Sequence, residues 1–302
     1  MKVFTANDCS PEFVELQYRS FEKYLHEPFE FFVFNCDPSI TKTPEKSAQV
    51  NEICRSLGIP TINIPRDSDI ERYWLTLAPG HQLFNSDGRF VRGIGGDTFN
   101  YMLQWAWQRY FPLQQEEICF CHSDVFLIEP IRLSDYLVDH SLCAPLSHKD
   151  TGQAPRRDGQ QIGTGAQGEH DLTTPHSSIT YLWEAFMLAD LAKLPDIHTL
   201  EWWPNVVEGV WTDTGGRTHY WLKAHPEVKL LEIGQSGCHD DPNVDFHPSR
   251  YSFFHLGDKK ILHYYSGSRW CTNMPTYWGF SQQQSANYHA RKLEWTRRMI
   301  GL

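Results

Sequence analysis

The sequence lacks the features that mark membrane, secreted and disulfide-stabilised proteins. No apolar run reaches the roughly 18 residues of a membrane-spanning helix, and the first residues, MKVFTANDCS, contain no apolar signal segment. The eight cysteines include no CxxC pair, and a chain of 302 residues does not depend on disulfides. We therefore expect buried thiols, no transmembrane segment and a cytoplasmic location.

Positive charge is also scarce. Lysine and arginine number 27 against 37 aspartate and glutamate residues, and the formal net charge is -10. Binding to a nucleic-acid backbone needs a basic face, so we expect no nucleic-acid partner, although a local basic pocket is compatible with this charge. Aromatic residues, by contrast, make up 14% of the chain and suit both a core and the recognition of sugar rings or bases.

The first part of the chain alternates strand and helix patterns. Strands are predicted at 2–6, 29–37 and 60–67, and helices at 10–25 and 45–59. This order is typical of an α/β fold with a mostly parallel sheet and helices on both faces, in which ligands bind at the carboxyl ends of the strands. No linker or internal repeat divides residues 1–302, so we expect one continuous domain.

Further elements are predicted along the rest of the chain. Residues 68–96 have no clear period and are expected to form a loop, and a helix is predicted over 98–111. The polar, glycine-containing stretch 149–172 is expected to be a mobile lid that orders over a ligand. The remaining predicted elements are a strand within 116–130, a short helix at 132–139, a strand at 141–148, helices at 177–194 and about 214–224, and a strand at 229–234.

The segment EEICFCHSDVFLIEP, residues 116–130, places a polar trio between apolar residues. Because His122 and Asp124 lie two positions apart, they share one side of an extended strand. A carboxylate at the end of a buried strand suits Mg²⁺ or Mn²⁺, and an imidazole shifts the preference towards Mn²⁺. The alternative interpretation is a polar strand end in which Asp124 caps the following turn.

A second group of polar residues follows the predicted strand in KKILHYYSGSRW, residues 259–270. His263 is a candidate metal ligand, and the glycine at 267 leaves its backbone open to a ligand. Arg269 suits a phosphate because its planar guanidinium donates two parallel hydrogen bonds. The alternative is a core histidine and a surface arginine.

Together these segments resemble the GT-A family of nucleotide-sugar glycosyltransferases, without identifying a subfamily. TANDCSPEFVELQYRSFEKYL is similar to the first strand and helix of that family, and CFCHSDVFL to its Asp-x-Asp metal motif. GIGGDTFNYMLQWAWQRY is similar to the helix before that motif, and ILHYYSGSRW to the late His–Gly–basic–Trp segment. The resemblance covers most of residues 1–148 and 255–270.

The resemblance implies sugar transfer from a nucleotide-diphospho-sugar donor to an acceptor hydroxyl, assisted by Mn²⁺ or Mg²⁺. Residues 1–148 are expected to bind the donor and residues 149–302 the acceptor. Asp124 is the implied direct metal ligand, with His263 and His122, although His122 stands where the family has its first aspartate. The expected donor contacts are Thr5, Ala6, Asn7, Asp37, Gly95, Gly96, Asp97, Ser123, Gly267 and Arg269.

Asp213 is the candidate catalytic base of an inverting transferase, which needs a carboxylate to take the proton of the acceptor hydroxyl. A retaining transferase uses the front face of the sugar and needs no separate base, and the sequence leaves both outcomes open. A helix N-cap is the alternative interpretation of Asp213. Weaker candidates on the acceptor side are His176, His239, Asp240 and Asp241, with ordinary loop residues as the alternative interpretation. A sugar ring is a candidate partner for Trp202, Trp203 or Trp211, although at least two of these tryptophans are expected to pack in the core.

Two other functions remain open at this point. A nucleotidyltransferase also uses a parallel sheet and a cation, but TANDCSPEF has neither the glycine-rich loop nor the basic residue expected after its first strand. A catalytically inactive nucleotide-sugar-binding homologue is the other alternative, because His122 departs from the usual metal motif.

Overall fold

The computed structural model describes residues 1–7, 10–41, 43–77, 84, 97–150, 168–169, 178–238, 251–264 and 281–302. The first half alternates strands and helices, as the sequence predicted. Its elements are β1 (Lys2–Asn7), α1 (Pro11–Tyr24), β2 (Glu30–Cys36), α2 (Pro44–Leu57), β3 (Thr61–Ile64), α3 (Ser68–Leu77), α4 (Asp97–Trp105), β4 (Glu117–His122) and β5 (Val125–Leu127).

The second half consists mainly of short strands. They are β6 (Leu142–Ala144), β7 (Leu146–Asp150), β8 (Gly168–Glu169), β9 (Ser178–Leu182), β10 (Phe186–Asp190), β11 (Val206–Val207), β12 (Val210–Trp211), β13 (Leu230–Glu232), β14 (Gly234–Cys238), β15 (Tyr251–Leu256) and β16 (Lys259–His263). The described residues of this half also include the helices α5 (Thr218–Ala224) and α6 (Gln282–Ile300).

The central sheet has eight strands in the order β3-β2-β1-β4-β10-β6-β13-β8. β3, β2, β1 and β4 run parallel to one another, as do β6 and β13. β10 is antiparallel to both of its neighbours, and β8 is antiparallel to β13. The predicted fold class, a mixed α/β fold with a mostly parallel sheet, is confirmed.

Helices cover both faces of this sheet because its strands are apolar on both sides. In β1, Phe4 belongs to a buried cluster that includes Tyr101 and Met102 of α4. Its neighbour Val3 belongs to a second cluster on the other face, which includes Phe21 of α1 and residues of α2. The alternation of Val3 and Phe4 thus joins both cores to one central strand.

A second, antiparallel sheet has the strand order β14-β15-β16-β5. Only Ser123 and Asp124 separate β4, in the central sheet, from β5, in this second sheet. α6 packs beside β16 and α1 in a third cluster that contains Leu262, Phe13 and Leu293. The turn at 123–124 therefore joins the two sheets.

The helix predicted over 177–194 is wrong, since this segment forms β9 and β10. β10 lies between β4 and β6, and all five of its residues are buried. A strand buried on both faces has a continuous apolar sequence without the alternation that distinguishes strands. Methionine, leucine and alanine in FMLAD also favour helices in isolation, so only the pairing partners determine the strand.

Other boundaries also differ from the sequence interpretation. α3 lies in the segment 68–96, which was expected to be a loop. The sequence feature that could have predicted the start of this helix is Asp67. Its carboxylate accepts a hydrogen bond from the Ile70 amide at 3.2 Å. α6 was not predicted. The helix predicted at 98–111 is α4 continued by a π-helix and a 3₁₀ turn.

The first two residues of the stretch predicted to be a lid, Lys149 and Asp150, belong to β7. Residues 168–169 of that stretch form β8, and 151–167 and 170–172 lie outside the described residues. The lid therefore stays a prediction.

Two expectations from composition concern the described residues directly. None of their helices combines the length and the apolar character needed to cross a membrane. Five cysteines are buried and free, as expected: Cys36, Cys54, Cys119, Cys121 and Cys143.

Candidate functional site

The carboxyl ends of β1 and β4 support the polar trio. Ala6 is the register partner of His122, and the Ser123 amide donates a hydrogen bond to the Ala6 carbonyl at 3.2 Å. Gln17 of α1 lies beneath the turn, where its amide nitrogen donates to the carbonyls of His122 at 2.7 Å and Val125 at 2.8 Å. These bonds hold the turn between the two sheets.

His263 reaches the same turn from the second sheet. It ends β16, where it is the register partner of Val125, the first residue of β5. The Tyr264 amide then donates to the Asp124 carbonyl at 2.8 Å. Strand pairing between β5 and β16 thus brings together Asp124 and His263, which lie far apart in the sequence.

The side chains of His122, Asp124 and His263 form a compact group, here called the ligand cluster. Asp124 Oδ1 lies 3.5 Å from His263 Nε2 and 3.8 Å from His122 Nδ1. The three potential ligand atoms all lie within 4.8 Å of one another. Two ligands about 2.1 Å from one ion are separated by at most about 4.2 Å, so a small adjustment brings all three within range of one cation.

Burial of the cluster favours a neutral imidazole at His122. Burial lowers the pKa of His122 to about 4. The negative charge of Asp124 acts to raise this pKa, and His263 acts to lower it further. Asp124 is only 4% exposed and His263 only 2%. Ser252 Oγ lies 3.0 Å from His263 Nδ1, so Nε2 is the nitrogen that faces Asp124. Metal ligation requires a neutral histidine with one ring nitrogen available. Burial favours that neutral form at His122, and His263 directs its Nε2 at Asp124.

The residues of β1 and β2 that were predicted to contact the nucleotide-sugar donor lie at the same sheet edge. They differ in whether their polar side-chain atoms already have hydrogen-bond partners. The Thr5 hydroxyl is buried and has no hydrogen-bond partner among the described residues. The Asn7 side chain, however, bonds the backbone of Ser10 in both directions, at 3.0 and 3.1 Å. Asp37 accepts hydrogen bonds from the Ser39 amide and hydroxyl at 2.8 and 2.6 Å. Asn7 and Asp37 thus shape the loops after β1 and β2, and contact with a base stays a prediction.

Several predicted site residues fall beyond what the structure describes. Asp97 begins α4, but only its backbone is described. The residues outside the described ranges are Gly95, Gly96, Gly267 and Arg269, together with the weaker candidates His176, His239, Asp240 and Asp241.

Asp213 is an exposed residue between the buried Thr212 and Thr214, in the turn before α5. Its carboxylate accepts a hydrogen bond from the Thr214 amide at 2.8 Å, and the N-cap of α5 is Arg217, so the N-cap interpretation is wrong. Burial raises the pKa of Tyr181 and lowers the pKa of Lys149. The negative charge of Asp213 acts to raise both pKa values. Asp213 therefore lies within electrostatic reach of both side chains.

Two buried titratable residues near the cluster were not predicted from the sequence. Glu184, in the turn between β9 and β10, lies 3.7 Å from His122 Nε2, and burial raises its carboxyl pKa well above the usual value. Lys292 of α6 donates to the Tyr264 carbonyl, and burial lowers its pKa to about 7 against the opposing effect of Asp124. Glu184 was hidden inside the mistaken helix, and Lys292 inside a segment without a predicted element.

The three tryptophans proposed for sugar stacking differ in their exposure to solvent. Trp202 and Trp203 are fully buried, which confirms core packing for two of the three tryptophans. Trp211 is 46% exposed and lies two residues before Asp213, so it stays a candidate.

Comparisons with known proteins give neighbours of similar fold. A search of family models found no match, and a search of curated proteins found none either. Among solved structures, the chain is similar to the galactosyltransferase LgtC in complex with donor and acceptor sugar analogues, at 15% identity over 77% of this chain and 73% of that one, with a TM-score of 0.41.

Two further structures are also named as glycosyltransferases. GlyE of Streptococcus pneumoniae TIGR4 is 12% identical over 76% of this chain and 44% of its own, with a TM-score of 0.34. Mouse xyloside xylosyltransferase 1 is 10% identical over 76% of each chain, with a TM-score of 0.34. The neighbours are glycosyltransferases, as the sequence resemblance predicted. The likeness is one of fold, and below a TM-score of 0.5 it carries no argument about activity.

Proposed function

We propose that the protein is a glycosyltransferase that transfers a sugar from a nucleotide-diphospho-sugar to an acceptor hydroxyl, with a divalent cation in the ligand cluster. The observation that carries the proposal is the meeting of Asp124, His122 and His263 at the carboxyl edge of the parallel strands. In open α/β sheets this edge is where nucleotide ligands bind.

The donor set favours Mn²⁺ over Mg²⁺. Two imidazoles and one carboxylate are softer than the all-oxygen shell that Mg²⁺ prefers, so Mn²⁺ is the proposed ion. When bound, such a cation neutralises the charge that develops on a diphosphate leaving group. The cluster contributes one carboxylate charge, which leaves one net positive charge of a divalent ion for the diphosphate.

The remaining residues have proposed roles in binding and proton transfer. The ends of β1 and β2, with the Gly95–Asp97 segment, border the nucleoside, and Gly267 and Arg269 contact the diphosphate. Residues 1–148 supply most of the donor site, and residues 149–302 supply His263 and the acceptor side. Asp213 takes the acceptor proton, since its carboxylate is exposed on the part of the chain that also holds the exposed Trp211.

Nucleotide binding in the presence and absence of metal tests the proposal. A thermal-shift screen with UDP, GDP and CMP is expected to give a shift with one nucleoside diphosphate that increases with Mn²⁺. Incubation with the matching nucleotide sugars is then expected to release the nucleoside diphosphate as the sugar is transferred. Binding of a nucleoside triphosphate with release of pyrophosphate would instead support a nucleotidyltransferase, and no response to any nucleotide would overturn the proposal.

A further inference from the structure

Two buried polar atoms beside the ligand cluster have an unmet hydrogen-bonding requirement. Neither His122 Nε2 nor Glu184 Oε2 has a hydrogen-bond partner among the described residues. The Glu184 side chain is only 6% exposed. Buried polar atoms in native proteins nearly always have a partner, so this pair requires an explanation.

The His122 ring lies between two carboxyl groups. Its Nδ1 faces Asp124 Oδ1 at 3.8 Å, and its Nε2 faces Glu184 Oε1 at 3.7 Å. The second distance is about 0.8 Å longer than an ordinary N–H···O hydrogen bond, so a small rotation of either side chain completes it. One ring nitrogen therefore points into the cluster and the other points to Glu184.

Backbone contacts fix this arrangement. The His122 amide donates to the carbonyl of Ala185, the residue after Glu184, at 3.0 Å. On the other side, the turn at Gly215 covers the carboxyl group. A Cβ at Gly215 would lie 3.7 Å from Glu184 Oε2 and 2.2 Å from the Leu182 carbonyl oxygen. The glycine, whose φ is +81°, thus permits the close approach of this turn to the Leu182 backbone, two residues before Glu184.

We propose that Glu184 is a positioning residue for the metal site, which accepts a hydrogen bond from His122 Nε2–H and so leaves Nδ1 free to bind the cation. Metal-bound histidines usually donate their second ring N–H to a carboxylate or carbonyl, which fixes the tautomer and the ring orientation. The inference rests on the proposed function, because it assumes a cation in the ligand cluster.

The pairing also accounts for a histidine at this position. An aspartate at 122 has no N–H to donate, and it would place a third carboxyl group beside Asp124 and Glu184. Like charges at such distances strongly oppose ionisation of one another. His122 and Glu184 therefore form a matched pair in this chain.

The proposal is tested by the Mn²⁺ affinity of the purified full chain. Electron paramagnetic resonance measures the free Mn²⁺ in a titration and so gives this affinity. Glu184→Met keeps the side-chain volume but removes both oxygens, and it is expected to weaken Mn²⁺ binding by about 10- to 100-fold. Glu184→Gln keeps an acceptor and is expected to recover most of that loss. In a His122→Ala background, Glu184→Met is expected to have no further effect, because the two residues act as one unit.

A second measurement does not depend on metal. The ¹⁵N chemical shifts of His122 in the metal-free protein report its tautomer. They are expected to show a protonated Nε2 in the wild type and in Glu184→Gln, and a mixture of tautomers in Glu184→Met.

Glu232→Ala is the matched control, because Glu232 is another buried glutamate beside a histidine, 3.4 Å from His148 Nε2, and neither residue belongs to the cluster. It is expected to leave the Mn²⁺ affinity unchanged. Equal Mn²⁺ affinity in the wild type and Glu184→Met, with binding still lost in Asp124→Asn, overturns the role of Glu184 and leaves the proposed function standing. Failure of the wild type to bind Mn²⁺ overturns both.

Discussion

Replacing Asp124 by asparagine removes one charge from the ligand cluster with almost no change in shape. Asp124 is 4% exposed, and its Oδ1 lies 3.5 Å from His263 Nε2 and 3.8 Å from His122 Nδ1. An amide in this place is a poor metal ligand, so a cation would be held by the two imidazoles alone. We expect Asp124→Asn to abolish both Mn²⁺ binding and sugar transfer.

The size of the effect on stability follows from ligand linkage. A ligand at 100 times its Kd stabilises the native state by about 2.7 kcal/mol. With an unfolding entropy of about 2.1 cal/mol/K per residue, a chain of 302 residues gains about 4 °C in Tm from that energy. Wild-type protein with saturating Mn²⁺ should therefore melt about 4 °C above metal-free protein, and Asp124→Asn should lose this difference.

Differential scanning calorimetry with and without Mn²⁺ measures both quantities. The metal-free Tm of the variant is expected to stay close to that of the wild type, since asparagine fills the same space. Asp258→Asn is the control, because Asp258 has a side chain that is 85% exposed and lies at the turn before β16. An undiminished Mn²⁺ shift in Asp124→Asn would refute the cluster as a metal site and favour the strand-cap interpretation.

Three further predictions concern other parts of the molecule. Because the pKa of Lys292 falls from 10.5 to about 7 on folding, the free energy of unfolding should decrease as pH falls from 10 to 7, by at most about 1.4 kcal/mol per unit. The free energy of unfolding of Lys292→Met, measured with urea, should lack this pH dependence. The same slope against pH in the wild type and in Lys292→Met would contradict the prediction. Gly215→Ala should lower Tm far more than Gly209→Ala, because both glycines have positive φ but only Gly215 would place its Cβ against a backbone oxygen, at 2.2 Å. Equal melting temperatures would contradict this contact. Trp211→Ala should raise the KM for the acceptor and leave the KM for the donor unchanged, in steady-state assays that vary one substrate at a time. A change confined to the donor KM would place Trp211 elsewhere.

The local elements with a strong period were predictable. In α1 and α2, a proline at the first turn and regularly spaced apolar residues mark helices whose observed bounds lie within two residues of the prediction. Segments without such a period misled the prediction. β10 is buried on both faces, so its sequence has no alternation, and α6 has a long polar face that hides its apolar stripe.

The sequence alone determined that polar side chains follow the apolar strands at β1, β4 and β16, because the order of apolar and polar residues is a property of the chain. It also singled out Asp124 and His263 as candidates to meet. Only the tertiary structure decided that they do lie 3.5 Å apart, since that distance depends on the pairing of β5 with β16, which are distant in the sequence. The same holds for Glu184 and Lys292. Their proximity to the cluster arises from the turn between β9 and β10, which belong to different sheets, and from the packing of α6, and no local pattern in the sequence records such contacts.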